Sequence, residues 1–539
     1  MNLKSLKYIF TISLVLFSNL LKAQTDDVLL NAMKIEADRA KAELKRDSLA
    51  RPFYISILAT ETDFYYDYKT SFGKESGETF SDKKSVTARA TLLVGNYHRT
   101  QYVNNASTYF PMPIDRDEKA IRSFIWFSLD ELYKSAARNY VDKMAWLKQE
   151  NLKQEELDLD DFEKREPTVL IQDIATEKYD FKEAKKLSLE ISKLLTDKAK
   201  KENLLVEDLS TNFSFSRTIS RYYDTEGSMY RYPIQGGSFN IRLSGVTEKG
   251  EDIFAYRTFR LNKLSALPTD VQLTKALDDM VAEYKVKYQT ENEDNPYMGP
   301  LLIIDDQVES VVNQIINDLY TEPKTRYFNG NRYQNLSGVR VISKQLSLKV
   351  NYGEEAQQME GVKRDFAPID IQAVIPPDSI ILIENGLLKD MLTDRRPVKN
   401  HLTSNGNALT NAYSKSVEGV ITFTGNERYS YDELKNMLME EAKLQGLEYA
   451  YIINSWGKLN RKVNVETGEE TEFTANYFNF DQIMKTMRRV MGVEDKMISS
   501  TDGTIRYPKS ILLEDAELTV HKSNQRLKKD FVERPQIWK

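Results

Sequence analysis

No cysteine occurs anywhere in the 539 residues. That excludes disulfides, thiolate metal ligands, cysteine nucleophiles and a lipid anchor attached through cysteine. Histidine is nearly as scarce: His98, His401 and His521 are the only three. None lies within five residues of another, so no helix can pair two of them on zinc. Lone histidines of this kind read as surface or structural side chains. A Walker-type phosphate loop, a dinucleotide-binding Gly-x-Gly-x-x-Gly and a Gly-x-Ser-x-Gly nucleophile elbow are all missing. Positive charge is not in excess either. The formal net charge is −6, with acids and bases interspersed, so the clustered positive field that nucleic-acid binding needs is not supplied. No internal repeat of about 20 to 50 residues marks a solenoid.

What is present describes an ordinary folded protein with an address at its start. Hydrophobic residues make up 41% and charged residues 29%, with 30 Tyr and 23 Phe, enough to build a large core and more than one domain. Lys4 and Lys7 precede a mostly apolar run, Tyr8 to Leu21, followed by Lys22-Ala23-Gln24. That run falls short of the roughly 20 residues that span a bilayer. A basic start, a short apolar stretch and a small residue at its end read as a secretory signal cut after Ala23. Cleavage removes Lys4, Lys7 and Lys22 and no acid, leaving a more acidic mature chain starting at Gln24. No second long apolar segment follows, so the mature protein is expected outside the cytoplasm, periplasmic or extracellular, soluble and off the membrane.

Patterning along the chain predicts an α+β protein: two domains of mostly antiparallel sheets with flanking helices. The parts are a signal peptide over 1–23, an N-terminal domain over 24–290 and a C-terminal domain over 291–539. Asp26 to Ala50 is charged with sparse apolar positions, and reads as an exposed helix. Pro52 to Tyr68 and Ser85 to Val103 are strand-like. Glu118 to Gln149 is a long helix, with Ile121, Ile125, Leu129, Leu132, Ala136, Tyr140 and Met144 at helical spacing. Gln149 to Pro167 reads as a solvated acidic connector. Phe181 to Leu195 is a second helix, striped by Ala184, Leu187, Ile191 and Leu194. Asn212 to Leu261 returns to strands, with turns expected at Gly227, Gly236-Gly237 and Gly250. Thr269 to Tyr288 is helical, and the acidic stretch Glu291 to Pro296 is the expected domain boundary. Beyond it, the strand Leu301 to Ile304 runs to Asp305 and Asp306, expected helix N-caps, and a stripe from Val308 to Leu319. Asn385-Gly386 between two apolar runs signals a tight hairpin. Ser430 to Glu433 is a capping box. Neighbouring acids such as Asp305-Asp306 read as caps or solvated side chains, and Arg395-Arg396 as an anion holder or equally an exposed turn.

Composition and spacing stop at that point, with no recognisable catalytic set. Several segments, however, resemble the TldD/PmbA family, the metallopeptidase-related "modulator of DNA gyrase" proteins. Leu382-Ile383-Glu384-Asn385-Gly386, Leu388-Lys389, Leu392, Asp394-Arg395 and Gly406-Asn407-Ala408 resemble its C-terminal signature. Gly299-Pro300-Leu301-Leu302 resembles the strand before its active-site helix. Tyr431 to Ile453, Pro508 to Glu517 and Tyr223-Asp224-Thr225-Glu226-Gly227 are similar to further segments. Ser71-Phe72-Gly73, Val94 to Tyr97 and Leu129 to Lys148 resemble an exported branch. The match covers nearly all of the mature chain, and its specificity lies in the order and spacing of the segments.

The departure from the family matters as much. Active members carry His-Glu-x-x-x-His on the helix after the Gly-Pro strand, with a distant Cys completing a zinc site. Here the three positions fall on Val308, Glu309 and Asn313, and no Gly occurs between Gly299 and Gly330. Val cannot ligate zinc, Asn is a poor ligand, and one carboxylate cannot hold a metal that needs three ligands. Without metal Glu309, the vestigial catalytic position, has no bound water to deprotonate. It reads instead as a solvated first-turn acid. No metal and no cofactor are therefore expected. The resemblance implies a non-catalytic subunit that pairs with a zinc-bearing TldD-like paralogue acting on unfolded peptides. Two alternatives stand beside it: a stand-alone periplasmic peptide-binding protein, and a peptidase using an unrecognised site.

Overall fold

The computed structural model describes residues 27–520, without 47, 82–84, 102–105, 151, 153, 175–178, 248–249, 291–295, 322–330, 409–416, 456–457, 475–477 and 480–481. The signal segment, His521 and the boundary residues 291–295 lie outside the described residues. The architecture is α+β. Strands before residue 262 form one eight-stranded sheet, and strands after residue 296 form a six-stranded and a second eight-stranded sheet.

The first sheet runs Ser107–Met112, Ser85–Val94, Pro52–Ser71, Asp208–Asp224, Met229–Val246, Val169–Ile171. Its long central strands pair antiparallel. Pro52–Ser71 is 20 residues long, and one side-chain parity cannot serve its whole length. At first the odd residues Ile55, Ile57 and Ala59 enter a core with the helices Val28–Glu43 and Glu118–Gln149. The pairing register then slips between Thr62 and Phe64, leaving Asp63 as an extra residue. Such a bulge moves the following side chains to the opposite parity. Phe64, Tyr66 and Tyr68 thus stay on the helix-covered face, against Lys182–Lys201 and Asp270–Gln289. Asp63 bonds across to Arg217 on the neighbouring strand at 2.9 Å. The opposite face carries Tyr54, Leu58, Tyr222, Tyr230 and Tyr232 and turns toward the second half of the chain.

Several local expectations are corrected. The helix Val28–Glu43 is not exposed: Leu29, Leu30, Ala32, Met33, Ala37 and Ala40 are buried. Its alanines let it lie close against Glu118–Gln149, and buried Glu36 is neutralised by Arg122 at 2.7 Å and Arg39 at 3.3 Å. Leu194 is exposed, the buried stripe of its helix running through Ala184, Ser188, Ile191 and Leu195. The acidic connector is also tucked in: Phe162 is buried, and Asp161 pairs with buried Lys143 at 2.6 Å.

Gly236-Gly237 is not a turn but lies mid-strand, with Gly237 between Phe215 and Leu261. A Cβ at Gly237 would sit 2.0 Å from the Ser214 carbonyl oxygen, so this pair permits close strand approach. Gly237→Ala is expected to cost about 3 kcal/mol in urea denaturation. Gly77→Ala, where a Cβ meets nothing within 4 Å, is expected to stay within about 0.5 kcal/mol.

In the second half, the helix Asp306–Asp318 is sandwiched between two sheets. Val308, Val311, Val312, Ile315 and Ile316 share one core with Leu346, Leu348, Phe423, Ile511 and Leu513. The helix Tyr431–Leu444 covers the outer face of the sheet containing Tyr297–Ile304, through Leu434, Leu438 and Ala442. Its capping box is present, Ser430 and Glu433 each bonding the other's backbone. At Asn385-Gly386 both φ angles are positive, 49° and 78°, as a two-residue hairpin turn requires. Asp305 occupies the N-cap position of Asp306–Asp318 but makes no side-chain cap bond; its φ is +47°.

Candidate functional site

The helix Asp306–Asp318 begins immediately after the Tyr297–Ile304 strand, where the resemblance places zinc chemistry. Val308 is fully buried in the sheet-helix core, whereas Asn313 is exposed. Residues five apart on a helix lie about 140° apart around its axis, so these two positions face different surroundings. Among the described residues no group of three or more His, Cys, Asp or Glu is placed to hold a metal. His98 is exposed and bonded to Asp160 at 2.9 Å. His401 is buried beside Asp390 at 3.3 Å. The residues at the motif positions do not fit zinc.

Glu309 corrects its own reading as a solvated acid. It is only partly exposed, and Tyr507 donates to its Oε2 at 3.3 Å. Burial pushes its carboxyl up to about 7, with Asp306 and Asp502 adding repulsion and the Tyr507 bond opposing them. Asp502 belongs to the turn before the Ile505–Pro508 strand, and its carboxyl is held low by Thr504 and Ser500 bonds and by Arg364 nearby. Arg364 also reaches both oxygens of Glu418, at 3.0 and 2.8 Å. The helix start is thereby linked, through Arg364, to the seam between the two halves.

Arg395 is central to that seam. It is not in an exposed turn: it is 1% exposed, and the anions it holds are carboxylates of this chain. Its Nη2 donates to Glu226 at 2.6 Å and to the Glu163 carbonyl oxygen at 2.6 Å, and its Nη1 to the Tyr54 hydroxyl at 3.4 Å. The guanidinium carbon lies 4.4 Å from the Phe162 ring centre. Asp224, 3.9 Å away and fully buried, adds a second anion. Glu163 returns the contact by accepting from Ser404 N at 2.8 Å and donating its own N–H to the Arg395 carbonyl at 2.8 Å. The Tyr223 to Gly227 segment thus supplies two carboxylates to an arginine of the other half.

Beside this cluster the seam holds a partly open cavity of 360 Å³. Leu58, Tyr232 and Ile234 line it from the first sheet; Ile369, Asp370, Gly406, Asn407 and Glu418 line it from the second half. Asp370 accepts backbone N–H bonds from Gln372, Val374 and Ala408, each at 2.9 Å. Burial nevertheless raises its carboxyl to about 6. Sequence reasoning missed Asp370, whose one trace is an acid between two isoleucines.

The signature residues divide by place. Gly406 (φ +81°) and Asn407 reach the cavity; a Cβ at Gly406 would be 2.6 Å from Pro376 N, and Asn407 Oδ1 accepts from Tyr352 at 2.9 Å. Glu384, Asn385 and Gly386 form the hairpin, with Glu384 paired to Lys389 at 3.1 Å. A Cβ at Gly386 would meet the Ile342 and Ser343 carbonyls at 2.6 Å. These hairpin residues shape backbone and hold no reacting group.

No family model and no curated protein matches the sequence. Solved structures do match in fold. One is a candidate modulator of DNA gyrase from Thermotoga maritima, with TM-score 0.55 and 13% identity, covering 90% of this chain and 100% of that one. A second, from Bacteroides thetaiotaomicron and described in the same terms, gives TM-score 0.56 and 10% identity over 91% and 98%. TldE from Thermococcus kodakarensis gives 0.53 and 12% over 90% and 100%. The chain has the fold of these proteins across both halves.

Proposed function

We propose that this chain is a TldD/PmbA-type subunit without zinc chemistry, which pairs with a zinc-bearing paralogue acting on unfolded peptides. The observation that carries the reading is a whole fold kept around a replaced motif. Similarity to TldE and its structural relatives extends over 90% of the chain, yet Val308 is a core residue of the helix where a ligand is expected. The core neighbours of Val308 are apolar, which supports a scaffold kept for assembly; function lives in sites, and the motif positions supply no zinc set. We further propose export with cleavage after Ala23. No helix among the described residues is long and apolar enough to cross a membrane.

Co-expression with a paralogue bearing intact His-Glu-x-x-x-His, followed by size-exclusion chromatography and an assay on an unstructured peptide, tests the pairing. One co-eluting complex is expected, burying more than about 2,000 Å² as obligate subunit contacts do. Separate elution at micromolar concentration, with the paralogue equally active alone, sinks it in favour of a stand-alone binding protein. The isolated chain, reloaded with zinc after chelation, is expected to retain none in elemental analysis. About one tightly held zinc per chain, with chelator-sensitive proteolysis, would overturn this.

A further inference from the structure

We propose that the cavity in the seam is a binding site for an organic cation: a primary ammonium or guanidinium carried on an aliphatic stem. Asp370 is a buried carboxylate with no Lys, Arg or His paired to it among the described residues. Buried charges are normally paired. Its three backbone N–H bonds leave lone-pair capacity, because a carboxylate offers about four acceptor sites. Asp394 acts on it from nearby and repels. A cation entering the cavity would complete this group.

The walls select the kind of cation. Leu58, Ile234 and Ile369 suit methylene groups, and Tyr232 offers an aromatic face. Among the described residues no Lys, Arg or His lines the cavity. A bare metal is ill served, since among the described residues Asp370 belongs to no group of three potential ligands. Glu418 at the same cavity is already shared with Arg364, which leaves Asp370 as the uncommitted anion. The volume of 360 Å³ falls within the range for small-molecule sites, about 300–1,000 Å³, and domain seams are common places for them. The cation has two sources with the same chemistry: a free amine, or the Lys or Arg side chain of an extended peptide.

Isothermal titration of the full mature chain tests this without any partner subunit, so its failure leaves the pairing untouched. The probes are cadaverine, agmatine and a pentapeptide with central lysine, against 1-pentanol and the norleucine pentapeptide. At least one cation is expected to bind and its neutral counterpart not. Affinity should fall about tenfold from pH 7 to pH 5 as Asp370 takes up its proton. Binding by cadaverine or agmatine but not the lysine peptide identifies a free amine, and the reverse identifies a peptide side chain. Asp370→Asn should weaken binding at least about tenfold. Because it disturbs three backbone bonds, Ile234→Phe is the second variant: it fills the cavity and should abolish binding. Neutral probes binding as tightly as cations, unchanged binding in Ile234→Phe, or no cation binding at about 10 mM would each overturn the site.

Discussion

Arg395→Ala is expected to lower folding stability by about 3–5 kcal/mol, the usual consequence of removing one partner from a buried ion cluster. The loss exceeds that of a surface ion pair because nothing replaces the guanidinium. Glu226, Asp224 and the Glu163 carbonyl are buried around it, and water cannot reach them without opening the seam. Arg395→Lys should recover less than half. An ammonium keeps the charge but cannot span Glu226, Glu163 and Tyr54 together or lie flat over Phe162. Urea denaturation gives the magnitude. A double-mutant cycle with Glu226→Gln gives the coupling, expected above about 1 kcal/mol for partners in one network. An Arg395→Ala loss below about 1 kcal/mol would mean that the halves are held elsewhere.

Glu309→Gln is expected to act in the opposite sense, stabilising the protein at pH 8 by about 1–2 kcal/mol. The folded state raises this carboxyl from its usual 4.5 to about 7. Between those values the folded chain keeps a proton that the unfolded chain releases, so stability falls as pH rises through that window. Above it the folded state carries a half-buried charge near Asp306 and Asp502, and glutamine removes it. The figure is set below the full shift because the carboxylate retains some water contact. At pH 4 both states are protonated and the two proteins should differ little. Thermal melts from pH 4 to 8 decide it: a constant difference between wild type and variant across the range would rule the account out.

Features with a local cause were legible in the sequence. The Ser430 to Glu433 box, the Asn385-Gly386 hairpin and the Glu118–Gln149 helix depend on neighbours within a few residues. The stripe from Val308 onward was visible by period alone, and its burial between two sheets follows from its width. Features with distant causes were not legible. Val28–Glu43 looked too charged to bury because its buried face mixes alanines with few large apolar side chains and its Glu36 is neutralised from another helix. Gly236-Gly237 resembled a turn because sequence cannot show that a neighbouring strand presses on it. The roles of Arg395 and Asp370 were not legible, since their partners lie up to hundreds of residues away or on bare backbone. The half-buried state of Glu309 was not legible either, as Tyr507 and Asp502 come from the far end of the chain.

The extra residue at Asp63 has a consequence for how this protein can change over generations. Four helices lie on one face of the sheet because the parity of Pro52–Ser71 reverses once, at that residue. Deleting Asp63 alone would leave Phe64 directly after Thr62 in plain alternation, still facing the helices, whereas deleting any other single residue of the strand would put the side chains before and after the gap out of phase. Point substitutions along this strand can be absorbed one at a time, but a change of length only where the bulge itself takes it up. Relatives that keep both halves joined should vary here in letters, and in spacing only at the bulge.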